Sequence, residues 1–148
     1  MTTNEYLKAF CKVEPASYQI HRPIQLTRPY IVCADGFGVS VQASNCHYCE
    51  PRISQFPNTE FIPYETVELG FPSAADEDLL LYQESNEEDP LESVYGFVPV
   101  EVVDKVLEKH GGIDISLTKE CFYDGERDAS DPWWKVMNLA FEEVKSEK

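Results

Sequence analysis

The stretch that decides the fold is "YIVCADGFGVSVQA", residues 30–43. Two runs rich in β-branched and aromatic residues flank Asp35-Gly36, a dipeptide suited to the positive φ values of a type I′ turn. After the turn, Phe37, Val39 and Val41 alternate with Gly38, Ser40 and Gln42. Alternation of period two puts one set on each face of a half-buried strand. We read a β-hairpin over residues 30–43.

Upstream, "HRPIQLTRP" carries Pro23 and Pro29 and suits an extended or edge segment. "NEYLKAF" predicts a short helix with Tyr6, Leu7 and Phe10 on one side. Downstream, "SNCHYCEPRISQFPNTEFIP" reads as a long loop broken by Pro51, Pro57 and Pro63. "YETVELGF" alternates as a strand, and "LLLYQ" and "SVYGFV" are two more strand candidates, bracketing an acidic turn at Asn86–Pro90. Pro99 suits a first helical position, Val100, Val103, Val106, Leu107 and His110 follow at helical spacing, and Gly111-Gly112 supplies the stop. Asp131 and Pro132 are a good N-cap and first residue for a last helix. Its apolar stripe is Trp133, Met137, Ala140, Phe141 and Val144, with Lys135, Glu142, Glu143 and Lys145 facing away. The spacing puts one of Trp133 and Trp134 in the core and leaves the other half exposed. The expected class is α+β: a mostly antiparallel sheet with an Asp-Gly hairpin and two to three helices packed on one face. At 148 residues, without repeats or a glycine- or serine-rich linker, the chain reads as a single domain, 1–148.

A hydrophobic share of 43% and an aromatic share of 12% exclude a disordered acidic tail. No run of about 18 apolar residues predicts a membrane span. "MTTNEYLKAFCKVEP" carries Glu5 early and lacks the apolar stretch of a signal peptide. Five cysteines, an odd number, argue against a disulfide framework, so a cytoplasmic setting with reduced thiols is expected.

The net charge of −15 is unevenly spread. Residues 60–108 carry fourteen acids against one base, Lys105, and "DEDLLLYQESNEEDPLE", residues 76–92, holds eight acids and no base. A small domain needs only about 2 to 8 net charges for solubility, so this concentration calls for another reason. Direct binding to nucleic acid is disfavoured. Since duplex DNA carries one charge per about 1.7 Å, the excess of thirteen acids over bases in residues 60–108 matches roughly 22 Å of duplex. Gathered on one face of a domain this size, on the order of 40 Å across, they would have a density like that of a phosphate backbone. They are expected to fit the basic groove of a nucleic-acid-binding protein; the alternative is an ordinary solvated acidic face.

Candidate chemistry is thin. Cys46 and Cys49 form a C-x-x-C pair with His47 between them and Glu50 beside it, but tetrahedral zinc usually takes two such pairs. The other candidates, Cys33, Cys121, His21 and His110, are scattered singly. A thioredoxin-like use needs a following helix, which Pro51 and "ISQFPN" do not promise. In the bland alternative Tyr48 and Cys49 pin the loop to the sheet. "DGFG" lacks the lysine and helix of a phosphate loop, and no G-x-S-x-G elbow is present. His110 reads as a partner for the C-terminal helix dipole. Neither an enzyme nor a cofactor or metal is expected.

From "DGFGVSVQASNCHYCEPR" the chain resembles a group of small bacteriophage and prophage proteins with a D-G-F-x-x-S-x-Q-A-S-x-x-H-Y-C-x-P-R signature. "VELGFPS" and "VYGFVPVEVVDKVLEKHGGI" extend the likeness over residues 30–113. Residues 1–29 and the helical segment 114–148 look like additions to that core. The resemblance implies that Asp35, Gly36, Ser40, Gln42, Ser44, His47, Tyr48, Cys49 and Arg52 hold the hairpin and loop together; Cys46 lies outside the signature. Small acidic phage proteins often oppose host defence nucleases. By analogy the expected function is an anti-CRISPR-like or antirestriction-like inhibitor that binds a basic host complex by charge mimicry. Its contacts are expected at Glu65, Asp76, Glu77, Asp78, Glu84, Glu87, Glu88 and Asp89, with the outer side of helix 99–110. Two alternatives stay open: a zinc or thiol module at Cys46, His47 and Cys49, and a small regulator that binds a host protein through exposed tryptophans.

Overall fold

The computed structural model describes residues 1–15, 17, 24–85, 87–125 and 130–146. Among these, four strands form one antiparallel sheet in chain order: β1 (Ile31–Val32), β2 (Gly38–Gln42), β3 (Thr66–Gly70) and β4 (Val94–Pro99). Four helices accompany it, α1 (Thr3–Ala9), α2 (Val100–Lys109), α3 (Ile115–Asp124) and α4 (Pro132–Ser146). The fold is α+β. None of these helices is long and apolar enough to cross a membrane.

The hairpin pairs Ile31 with Val39 and Val32 with Gly38, but its turn is not type I′. That type needs positive φ at two successive residues, and only Gly36 has it, at 95°. Gly36 N–H donates to Cys33 O (2.9 Å) and Cys33 N–H to Phe37 O (2.8 Å), which makes a three-residue loop closed by a left-handed glycine. The Asp35 carboxylate accepts Phe37 N–H at 2.8 Å and braces that loop.

One face of the sheet is apolar: Val39, Val41, Val67, Leu69, Tyr95 and Val98 are all buried. They share one core with Tyr6, Leu7 and Phe10 of α1, Val103, Val106 and Leu107 of α2, and Met137, Ala140 and Phe141 of α4. Phe10 and Phe141 meet edge to face at 4.8 Å. Both flanking segments, 1–29 and 114–148, therefore contribute to the same core as residues 30–113.

Pairing of β3 with β4 shifts between Val67–Val98 and Leu69–Tyr95. Gly96 and Phe97 together oppose Glu68, a β-bulge that lets Tyr95 and Val98 both point inward although they are an odd number apart. Phe97 takes a positive φ of 51° in the bulge, and its ring is exposed.

Local signals explain the helices. Thr2 and Glu5 form a reciprocal capping box at α1. Asp131 accepts Trp133 N–H at 2.8 Å at the start of α4. Pro99, expected as the first helical residue of α2, instead caps it in extended geometry as the last residue of β4. The stop is as read, with Gly111 and Gly112 at φ 91° and 85°. Within the segment 114–148, expected to be helical, α3 is a helix that no sequence signal had delimited; it is capped by Asp114 and buries only Thr118 and Phe122. Thr118 serves the sheet edge: its hydroxyl accepts Val32 N–H (3.0 Å) and donates to Val32 O (3.1 Å).

"LLLYQ" is not a strand. Leu80–Tyr82 form a short 3-10 helix, in a segment where Leu79 is fully buried and Leu81 is 88% exposed. The tryptophans also differ from expectation: both are half-buried around Phe122, at 5.4 and 5.5 Å from its ring.

Candidate functional site

Three regions gather the residues singled out by sequence. In the first, the C-terminus of α2 meets the hairpin turn. The His110 ring stacks on Phe37 at 4.0 Å, with Nδ1 2.7 Å from Asp35 and Nε2 3.3 Å from Asp76. Lys109 pairs with Asp76 (2.8 Å) and Asp78 (3.0 Å). Burial pushes the Asp76 carboxyl up, but hydrogen bonds from Lys109, Asp78 N–H and His110 outweigh it, so its pKa is lowered. The Asp35 carboxyl is lowered by Phe37 N–H and then by His110. Hydrogen bonds to Asp76 and then Asp78 raise the Lys109 ammonium. Both ring nitrogens of His110 face carboxylates and neither is open to a substrate, so this cluster ties the hairpin, α2 and the loop at Asp76 together. It also corrects one expected contact: Asp76 is only 6% exposed and faces inward, so it is not available to a partner.

The second region is the loop with Ser44, His47, Tyr48, Cys49 and Arg52. Ser44 Oγ accepts Cys46 N–H (3.0 Å) and lies 2.6 Å from His47 Nδ1, in a turn closed by its own carbonyl. Cys49 is buried, with Sγ on the Ser44 and Pro51 carbonyls, whereas Cys46 is exposed and its Sγ meets Asn45 Oδ1. Burial raises the Cys49 thiol pKa and lowers that of His47. Tyr48 joins the loop to the sheet: its N–H donates to Glu68 (3.0 Å) and its carbonyl accepts Phe97 N–H (2.9 Å). Arg52 lies 5.6 Å above the Tyr48 ring. A Cβ at Gly96 would collide with Glu84 Oε1 and lie 3.2 Å from Tyr48 Cβ, so the Glu84 carboxylate and the Tyr48 side chain both pack onto this glycine. Among the described residues no group of three or more histidines, cysteines or carboxylates is placed to hold a metal ion; His21, a scattered candidate by sequence, lies outside them.

The third region is acidic. Gln83 bridges to Tyr95 and Glu84 N–H donates to Val94 O (2.9 Å), which closes residues 84–93 into a loop. The Gln83 amide reaches across it to Glu88 O (2.9 Å) and Ser93 Oγ (2.7 Å), and Tyr95 donates to Pro90 O (2.6 Å). On this frame Glu84, Glu87, Glu88, Asp89 and Glu92 are exposed. Glu77 is exposed too, while Asp78 is half-buried against Lys109. Lysines pair with Asp76, Asp78, Glu142 and Glu143, and Asp35 meets His110; none of these carboxylates lies in this loop. Glu65 is exposed but sits at the Thr66–Pro99 end of the sheet, opposite the Gly70–Val94 end from which the loop leaves. Five strand residues separate the two ends, roughly 15 Å. Apart from the exposed Glu77, the expected contacts thus divide into a loop without ion pairs, a neutralised knot and one distant carboxylate.

On the polar face of the sheet a cleft of about 410 Å³ opens over Ser40, Gln42, Glu68 and Gly70, walled by Tyr30, Phe71 and Trp133. Tyr30 donates to Phe71 O at 2.6 Å, and Trp133 Nε1 to Thr27 O at 2.7 Å. Sequence reasoning missed this cleft. Its walls come from three distant segments, and the one local signal is the polar half of the β2 alternation. Searches with the chain find no matching family model, no similar curated protein and no similar solved structure.

Proposed function

We propose that this protein is a non-catalytic inhibitor that occupies the basic groove of a nucleic-acid-binding protein, with the acidic loop 84–92 as its principal contact. The carrying observation is that Glu84, Glu87, Glu88 and Asp89 stand exposed without a cationic partner among the described residues, on a loop braced by Gln83 and Tyr95. A braced loop holds like charges in place at little further entropic cost on binding. Such an array stands in for polynucleotide phosphates, attracts a basic surface over long range and associates quickly at low salt. The resemblance of the residue 35–52 signature to small phage proteins favours a host defence complex as the target.

The test compares the natural chain with a variant carrying Glu84→Lys, Glu87→Lys, Glu88→Lys and Asp89→Lys in capture from host-cell extract. The natural chain is expected to retain a basic protein that duplex DNA displaces and that is lost between about 50 and 200 mM salt. The variant is expected to retain none while keeping its circular-dichroism spectrum. Capture that survives the reversal, or that DNA does not displace, rejects the reading.

A further inference from the structure

We propose that the cleft on the polar face receives the guanidinium of an arginine side chain, supplied by the basic partner as a second contact beside the acidic loop. Only the identity of the chain carrying the arginine rests on the preceding reading; the chemistry of the cleft stands by itself.

Three aromatic residues, Tyr30, Phe71 and Trp133, line the space, and ring faces attract cations, Trp most of all. On the floor the Gln42 amide is already committed, while the Glu68 carboxylate keeps acceptor capacity. Gln42 Oε1 accepts Arg28 N–H (2.8 Å), and its Nε2 donates to Arg28 O (2.8 Å) and Ser40 Oγ (3.1 Å). Glu68 accepts Tyr48 N–H (3.0 Å), which leaves carboxylate lone pairs for an incoming donor. Arg28 also lines the cleft, but its guanidinium is turned away: Nε donates to Leu7 O (3.0 Å), Nη1 to Ala43 O (2.8 Å), and the residue is only 3% exposed.

There is room for a side chain. Gly70 lies between Ser40 and Val94 in the register, and a Cβ built on it would meet no atom within 4 Å. The walls are held as well as open. Phe71 takes a positive φ of 52°, a conformation a bulky residue rarely adopts, yet its ring is 58% exposed. The Tyr30 bond to its carbonyl fixes that geometry. A flat cation inserted between rings and bonded to one carboxylate fits this arrangement better than an ammonium, because guanidinium stacks and forks at once. The cleft also adjoins the acidic loop: Val94 lines it and accepts the Glu84 N–H at the root of that loop.

The experiment titrates the full chain with Nα-acetyl-argininamide and follows the Trp133 indole N–H by NMR, with Trp134 as internal reference. A saturable shift of Trp133 is expected, and none with the neutral isostere Nα-acetyl-citrullinamide. Gly70→Leu, which fills the cleft from its floor, is expected to abolish the shift. Glu68→Gln, which keeps the acceptor for Tyr48, is expected to weaken binding about tenfold. No saturable shift, an equal response to the citrulline probe, equal affinity for Nα-acetyl-lysinamide, or unchanged binding in Gly70→Leu overturns the proposal; should Gly70→Leu fail to fold, unchanged affinity in Glu68→Gln does so. The loop-reversed variant is expected still to give a saturable Trp133 shift with the arginine probe and none with the citrulline probe. Its affinity is lowered only by a long-range repulsion that about 0.5 M salt removes, so a failure of the loop reading and a failure of the cleft reading give different results.

Discussion

Asp76 and Asp78 begin the same acidic run as Glu87, Glu88 and Asp89, a few residues earlier in the chain, yet the fold treats the two groups oppositely. Asp76 is drawn under the C-terminus of α2, where Lys109, His110 and the Asp78 N–H surround its carboxylate. The later acids sit on a loop whose bracing comes from Gln83, Ser93 and Tyr95, through amide and hydroxyl groups, and no charge of theirs is cancelled by the described residues. In the first region charge serves the fold. In the second the fold carries charge that no described residue offsets.

The largest effect that separates the two regions is on stability. Asp76→Ala leaves Lys109, His110 and the Asp78 N–H without their shared acceptor and is expected to cost about 2–3 kcal/mol in urea unfolding. Glu88→Ala is expected to change stability by less than about 0.5 kcal/mol. Equal losses would erase the distinction.

Acid titration sharpens it. The folded pKa of Asp76 lies below its ordinary value of 3.8, so its contribution to stability is complete above that value and is lost as pH falls through the lower folded pKa. Stability measured against pH is expected to lose this part of its acid slope in Asp76→Asn. The effect is smaller than that of Asp76→Ala, since the neutral acid still fills the space. An unchanged slope would show that the pairing with Lys109 does not bear on folding.

A third change acts on the frame of the loop and spares its charges. Gln83→Ala removes the amide that spans Glu88 and Ser93. It is expected to cost about 1 kcal/mol, read as faster amide exchange confined to residues 84–94. Exchange that also quickens in α2 would mean the loop is not an independent unit.

How much of this was legible in the sequence depends on how local the cause is. The Asp35-Gly36 hairpin, the Gly111-Gly112 stop and the Asp131 cap are each set by a few adjacent residues, and all three appear as elements. Where burial depends on distant neighbours, the reading failed. Leu79, Leu80 and Leu81 look alike in sequence, but the turn at Asp76–Leu79 buries the first and exposes the third. Alternation along "SVYGFV" gives no hint of the bulge that turns Phe97 outward. For the site, the acidic run was visible as composition, whereas the neutralisation of Asp76 required knowing that Lys109 and His110 end a helix beside it. Nothing local brings Tyr30, Phe71 and Trp133 to one cleft.

The smallest expected effect concerns salt, and it tests the comparison without altering a contact. Unpaired like charges on the loop repel one another, and two charges about 8 Å apart in water interact by roughly 0.5 kcal/mol before screening. The screening length falls from about 30 Å at 0.01 M to about 8 Å at 0.15 M, so added salt relieves this repulsion. The attraction in the Asp76 knot is weakened by salt in the opposite sense, but Asp76 is buried and less screened. The natural chain is therefore expected to gain stability as sodium chloride rises over that range. The triple variant Glu87→Gln, Glu88→Gln, Asp89→Asn is expected to gain less, by about 0.5 kcal/mol. Parallel salt dependences in the two chains would mean that the loop charges are already balanced within the fold, and with no unbalanced charge there would be nothing for a basic partner to read.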